Sequence, residues 1–118
     1  MHESRDPADI LDILGDKNAR AILKHASQQP MSAKGLREAC DASTSTIYRR
    51  LDELEALDLL TASSKLDPDG NHHTVYETAT DALEIRFSDG VIDVQSNDQE
   101  DAVDTFARTW DDLRRFDQ

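Results

Sequence analysis

An α+β fold is predicted by the way the apolar residues are spaced. Up to residue 57 they recur at helical intervals; after Leu59 they alternate around two turn signals, "DPDGN" and "SDG". Helical spacing then returns near the C-terminus, so the expected order is four helices, two hairpins and a last helix.

The first helix opens at Asp6-Pro7, an N-cap followed by proline at the first helical position, and runs to about Gly15 with Ala8, Ile10, Leu11 and Leu14 on one face. A second, about 17–28, turns Ala19, Ile22, Leu23 and Ala26 inward and stops before Pro30. Ser32 caps a third, "SAKGLREAC", with Leu36, Ala39 and Cys40 inward. Ser43 caps a fourth that reaches about Leu57 on a stripe of Ile47, Leu51 and Leu54.

Strands are expected near 59–66 and 73–80, flanking "DPDGN", where Pro presets one φ and Gly permits a positive one. In the second hairpin, "ALEIRFSDGVIDVQS", a two-residue Asp89-Gly90 turn sets Phe87 opposite Ile92 and Ile85 opposite Val94 on one face. The same register faces Arg86 with Asp93 on the other. Residues 98–116 carry Val103, Phe106, Trp110 and Leu113 at helical spacing, and three of the six aromatics fall in the final 13 residues. The domain reading is 1–96 for the main body and 97–118 for the C-terminal helix, in one globular unit.

A hydrophobic fraction of 37% against 32% charged residues is lean for a globular chain, but the periodic blocks argue for folding. No apolar run is long enough for a membrane span, and "MHESRDPAD" lacks the plan of a signal peptide, so a cytoplasmic protein is expected. Cys40 is the only cysteine, which excludes an internal disulfide. The formal net charge is −12, from 18 Asp and 7 Glu against 9 Arg and 4 Lys. Such Asp excess suits a cytoplasm of molar salt, where screening shortens self-repulsion to a few Å. The charge is also uneven: residues 17–50 sum to +5 while the rest is acidic.

A short helix, a tight turn, a second amphipathic helix and a β-hairpin make a winged helix-turn-helix, with the second hairpin and a C-terminal dimerisation helix as additions. The stretch "MSAKGLREACDASTSTIYRRLDELEALDLLTAS" resembles the DNA-binding core of the ArsR, MarR and PadR-like regulators, most closely small single-domain archaeal members from halophiles. Where such families usually place Gly, at the turn and at the helix end, this chain has Asp41 and Asp58. Both positions want a left-handed backbone, which Asp visits more readily than most residues. The resemblance implies a homodimeric transcription regulator reading a palindromic or pseudo-palindromic site in double-stranded promoter DNA, with an oxidative-stress role as its finer expectation. The alternative is a winged-helix adaptor that binds other proteins of the transcription machinery.

On a helical wheel with Ile47, Leu51 and Leu54 inward, Ser45, Arg49 and Thr46 point away, with Tyr48 and Arg50 on the shoulders. Arg49 suits a bidentate contact to guanine, and Arg50 with Ser43 and Thr44 suits phosphates. The competing reading is an ordinary solvated helix with an Arg49–Glu53 pair. Ser32 and Lys34 at the start of the third helix, and Lys65, His72 and His73 on the wing, complete the expected DNA-binding set. Acidic flanks near phosphates call for salt cations at that interface. Val103, Phe106, Trp110 and Leu113 are the expected dimer interface.

No cofactor or metal is expected: "DPDGN" starts like a calcium loop, but His72 and Thr78 stand where Gly and a bidentate Glu belong. Cys40 has the position of a buried packing residue. No nucleophile–base set or phosphate loop has workable spacing, so an enzyme is not expected.

Overall fold

The computed structural model describes residues 6–97 and divides the chain into two compact units, one ending at Ala79 and the other beginning at Thr80. The expected C-terminal helix, with Val103, Phe106, Trp110 and Leu113, lies outside the described residues.

The first unit begins with α1 (Pro7–Leu14) and α2 (Lys17–Gln28). Asp6 caps α1 by accepting from the Ala8 amide at 2.9 Å, and Asp16 caps α2 by accepting from the Ala19 amide at 2.9 Å. β1 (Met31–Ser32) leads into α3 (Ala33–Cys40), where the Ser32 hydroxyl accepts from the Gly35 amide at 3.0 Å. Three residues then connect to α4 (Thr44–Ala56), whose cap is Ser43. β2 (Leu60–Leu66) and β3 (His72–Thr78) form the hairpin that follows.

The helical starts agree with the caps read from the sequence, because each cap is a local bond between neighbouring residues. The inward faces agree less completely. Ile13 is buried where Leu11 and Leu14 were expected, and Ala39 is exposed. An eight-residue helix has too few turns for its pattern to say which shoulder meets a neighbour. The core comprises Ile10 and Ile13 of α1, Ile22 of α2, Leu36 of α3 and the α4 stripe Ile47, Leu51 and Leu54, closed by Leu59, Leu60 and Val75.

The sheet order is β1-β3-β2, antiparallel throughout, with Ser32 opposite Val75 and Lys65 opposite His73. β1 was not foreseen: two residues are too few to show a period of two. They pair only because β3 offers them a free edge. At the wing tip, Asp67 Oδ1 accepts from the amides of Asp69 (3.1 Å) and Asn71 (2.9 Å), and Gly70 takes φ 86°. The carboxylate therefore serves the turn's own backbone.

All three non-glycine residues with positive φ are aspartates among the described residues: Asp41 (53°), Asp58 (59°) and Asp89 (53°). The first two are the positions that the sequence pattern marked as left-handed. At the end of α4, the Asp58 amide donates to Glu55 O at 3.0 Å and the Leu59 amide to Leu54 O at 2.9 Å. This is a Schellman closure, and the buried Leu54 and Leu59 supply its usual apolar contact.

The second unit is a hairpin, β4 (Ala82–Ser88) and β5 (Val91–Asn97), turning through Asp89 and Gly90 (φ 78°). Phe87 faces Ile92, Ile85 faces Val94 and Arg86 faces Asp93, the register that a two-residue turn dictates. The Arg86 guanidinium, however, contacts Glu84 on its own strand at 3.4 Å. Both partners are well exposed, so the choice between two nearby carboxylates is energetically slight.

Three substitutions test this architecture. Leu51→Ala should lose about 2–5 kcal/mol, the usual cost of emptying a fully buried leucine site. Asp58→Val should lose about 1–2 kcal/mol through the left-handed backbone, while Asp58→Gly should hold or gain stability. Urea unfolding followed by circular dichroism measures all three.

Candidate nucleic-acid interface

The surface of α4 follows from what its core stripe excludes. With Ile47, Leu51 and Leu54 buried, Ser45, Arg49 and Asp52 are exposed. Ser43 and Thr44 are exposed at the helix start, Thr46 is half-buried, and Tyr48 is 51% exposed on one shoulder.

The hydroxyls form a local set. Ser43 Oγ accepts from the Thr46 amide at 3.2 Å, donates to Thr46 Oγ1 at 2.9 Å and lies 3.4 Å from Ser45 Oγ. Ser43 is thus occupied in starting the helix, and its neighbours ring an N-terminus whose free amides and dipole favour an anion. No acidic side chain lies between Ser43 and Arg50.

The two arginines have different surroundings. The Arg49 guanidinium is exposed and, among the described residues, has no hydrogen bond or ion pair. Arg50 is half-buried: its Nε donates to Asp16 Oδ2 at 2.9 Å, its Nη2 to Asp16 Oδ1 at 3.2 Å, and its Nη1 to Glu53 Oε1 at 2.9 Å. The fork is bidentate, the arrangement in which a guanidinium fits a carboxylate best. Glu53 therefore pairs with Arg50 at i,i+3, not with Arg49 at i,i+4 as the solvated-helix reading would have it. Arg50 is engaged within the fold at all its forks, whereas Arg49 is available.

Asp16 is the residue that sequence reasoning missed. It lies 34 positions from Arg50, and its only sequence signal is the capping role it also plays for α2. The hydrogen bonds from Arg50, then the Ala19 amide, hold its carboxyl below the ordinary value of 3.8. The same bond pushes Arg50 up.

Beside the clamp, a groove of about 450 Å³ is lined by Asp9, Asp12, Asp16 and Glu53 with Ile13, Ala56 and Leu57, its one cation being Arg50, already paired with Asp16 and Glu53. The carboxylates make this side of the first unit hostile to a polyanion, which limits an anionic partner to the other end of α4. Tyr76 is half-buried on β3; burial, then Glu55, Tyr48 and Asp52, push its phenol up.

On the wing, Lys65 and His73 are directly cross-strand, and both are exposed. His72 lies 3.4 Å from Ser64 Oγ through Nδ1. A cleft of about 360 Å³ brings Lys65 and His73 together with Ser32 and Asp67, and Lys34 is exposed on the first turn of α3. Cys40 is half-buried, and burial pushes its thiol up from 9.0, which lowers its thiolate content. Among the described residues no group of three metal-ligating side chains converges, and no helix is long and apolar enough to cross a membrane.

Three helices around a stripe of α4, followed by a β-hairpin wing, define a winged helix-turn-helix. A family model described as a helix-turn-helix domain matches residues 14–61, from the end of α1 to the first residues of β2. Among solved structures, NolR from Sinorhizobium fredii superposes with a TM-score of 0.51 at 22% identity, covering 63% of this chain and 69% of that one. No curated protein sequence matches the chain. A helix-turn-helix domain is a binding fold.

The clamp has a pH signature. Because the folded pKa of Asp16 is depressed, its stabilisation is fully present above the unfolded value of 3.8 and is lost as pH falls through the lower folded value. Asp16→Asn should therefore lose about 1–3 kcal/mol at neutral pH, for a weakened cap and a lost charged pair, with partial exposure favouring the lower half of that range. The gap between wild type and variant should close below pH 3.8 in acid-unfolding curves.

Proposed function

We propose that this chain is a sequence-specific regulator of transcription that binds double-stranded promoter DNA as a homodimer in a salt-rich cytoplasm. The observation that carries the reading is the acid-free start of α4, with Ser45 and Arg49 exposed and Arg49 unengaged. A helix entering the major groove N-terminus first would aim Ser43–Arg49 at the DNA. Arg49 is the base-reading residue, contacting guanine O6 and N7. Thr44, Ser45, Thr46 and Tyr48 take positions around it, while Lys34 with Ser32, and Lys65 with His72 and His73, hold backbone phosphates.

Arg50 takes a different part in this proposal from Arg49. Its bonds to Asp16 and Glu53 orient α4, so it acts on DNA through the angle of the helix. The resemblance to regulators of halophiles adds an oxidative-stress role. Cys40, half-buried with a raised thiol, is packing in this scheme and not the sensor. Val103, Phe106, Trp110 and Leu113 supply the dimer seam, and two-fold symmetry matches a palindromic site.

Arg49→Ala should cost roughly 1–3 kcal/mol of discrimination between a promoter fragment and an unrelated duplex, with unfolding stability unchanged. Arg50→Ala should lower both stability and affinity. Fluorescence anisotropy beside urea unfolding separates the two, and an Arg49→Ala protein that still distinguishes the promoter would end the assignment. Affinity should also fall less steeply with salt than for ordinary DNA binders, because acidic flanks near the phosphates take cations up while DNA releases them. A titration in KCl up to the molar range that gives the usual steep negative slope would exclude cation uptake.

A further inference from the structure

Among the described helices, α2 alone has no acidic side chain. Its residues, "KNARAILKHASQ", hold Lys17, Arg20 and Lys24 and no Asp or Glu, although acids make up 25 of the chain's 118 residues and occur on α1, α3 and α4. Two of the chain's four lysines stand on it. All three cations are exposed, and none has a carboxylate partner among the described residues. Arg20 donates through Nη1 to the Leu14 carbonyl at 2.9 Å, which leaves its other donors unmatched. Lys17 opens the helix, where the positive end of the dipole disfavours a cation, so helix stability does not account for it.

We infer that Lys17, Arg20 and Lys24 form a second surface for duplex DNA, gripping the phosphates of a stretch separate from the one that α4 reads. The inference extends the DNA-binding reading and rests on it for the identity of the polyanion. At about 100° per residue, the three cations fall within about 60° of one another, on the side of α2 opposite buried Ala19, Ile22 and Ala26. α4 packs against α2, and its own Ser45 and Arg49 lie opposite buried Ile47, Leu51 and Leu54. The stripe and the start of α4 are therefore on opposite sides of one core. Two packed helices, with axes about 8–10 Å apart, set their outer surfaces roughly 20 Å apart. A straight duplex held by α4 does not cross that thickness, so the stripe takes another segment.

The chemistry of the stripe selects its occupant. From Lys17 to Lys24 the helix rises about 10 Å, so the charges form a line instead of gathering on one small anion. Duplex DNA carries one negative charge per roughly 1.7 Å of its axis, about six along the stripe. An acidic protein would need apolar or aromatic anchors beside the charges. None of the large exposed apolar side chains among the described residues is on α2. The acidic groove beside the Asp16 clamp is lined by no residue of α2 itself, so its carboxylates do not interrupt the stripe.

The test loads the full chain on an immobilised promoter duplex and offers a second, fluorescent duplex of unrelated sequence. Wild type should hold the second duplex. A Lys17→Gln/Arg20→Gln/Lys24→Gln protein should hold at least about tenfold less, since three phosphate contacts are lost. Lys17→Arg/Lys24→Arg should keep the capture, which ties it to charge. All three sites are exposed, so urea unfolding of the triple variant should match wild type. A second arm measures affinity against salt on a long promoter fragment and on one cut to the site alone. If the flanks of the same molecule supply the phosphates, the triple variant's log–log slope on the long fragment should be shallower by roughly 2–3, and the short fragment should show no difference. A triple variant equal to wild type in both arms would overturn the inference and leave the α4 reading intact. A wild-type chain that binds no promoter duplex would remove that reading, and the second surface with it.

Discussion

The Asp16 carboxylate is where the first unit is tied together. One oxygen caps α2 through the Ala19 amide, and both receive the Arg50 fork from α4. Apolar burial attracts α4 to the bundle, but burial is non-directional and tolerates rotation and sliding. A bidentate ion pair does not tolerate them, because its hydrogen bonds weaken steeply once the planes tilt. Asp16 therefore fixes the azimuth of α4 and, with it, the direction in which Ser45 and Arg49 face. Glu53 completes the guanidinium's shell one turn along.

This arrangement resolves the charge of the molecule. A chain of net charge −12 keeps its acid away from one short surface, and part of that acid holds its neighbours in place. Asp16 and Glu53 neutralise the arginine that the fold needs, and leave Arg49 to the solvent. Asp67 is absorbed by the wing turn. Asp41, Asp58 and Asp89 occupy left-handed backbone positions that most chains give to glycine. In an acid-rich chain, aspartate thus does conformational work as well as solvation, since its short side chain makes it one of the few L-residues that visit this region.

The sequence determined the features that depend on neighbours along the chain. The caps at Asp6, Ser32 and Ser43, the left-handed Asp41 and Asp58, and the Asp89-Gly90 turn with its strand register are all contacts over a few residues. The buried stripe of α4 was legible for the same reason, since 13 residues give the helical period room to show. The exposed face of α4 follows as its complement, so most of the candidate site could be written down from residues 43–50 alone.

Only the tertiary structure decided which of two adjacent arginines is engaged by the fold. The Asp16–Arg50 pair joins residues 34 apart, and no local pattern distinguishes Arg50 from Arg49. The pairing of β1 with β3, the gathering of Ser32 with Lys65 and His73, and the preference of Arg86 for Glu84 over Asp93 are of the same kind. Each depends on where a partner distant in sequence, or one among several equally placed carboxylates, ends up after the core has closed. Local spacing carries the geometry of a helix or a turn, because hydrogen bonds between near neighbours define it. It does not carry the meeting of two elements, which is set by the packing of all the others.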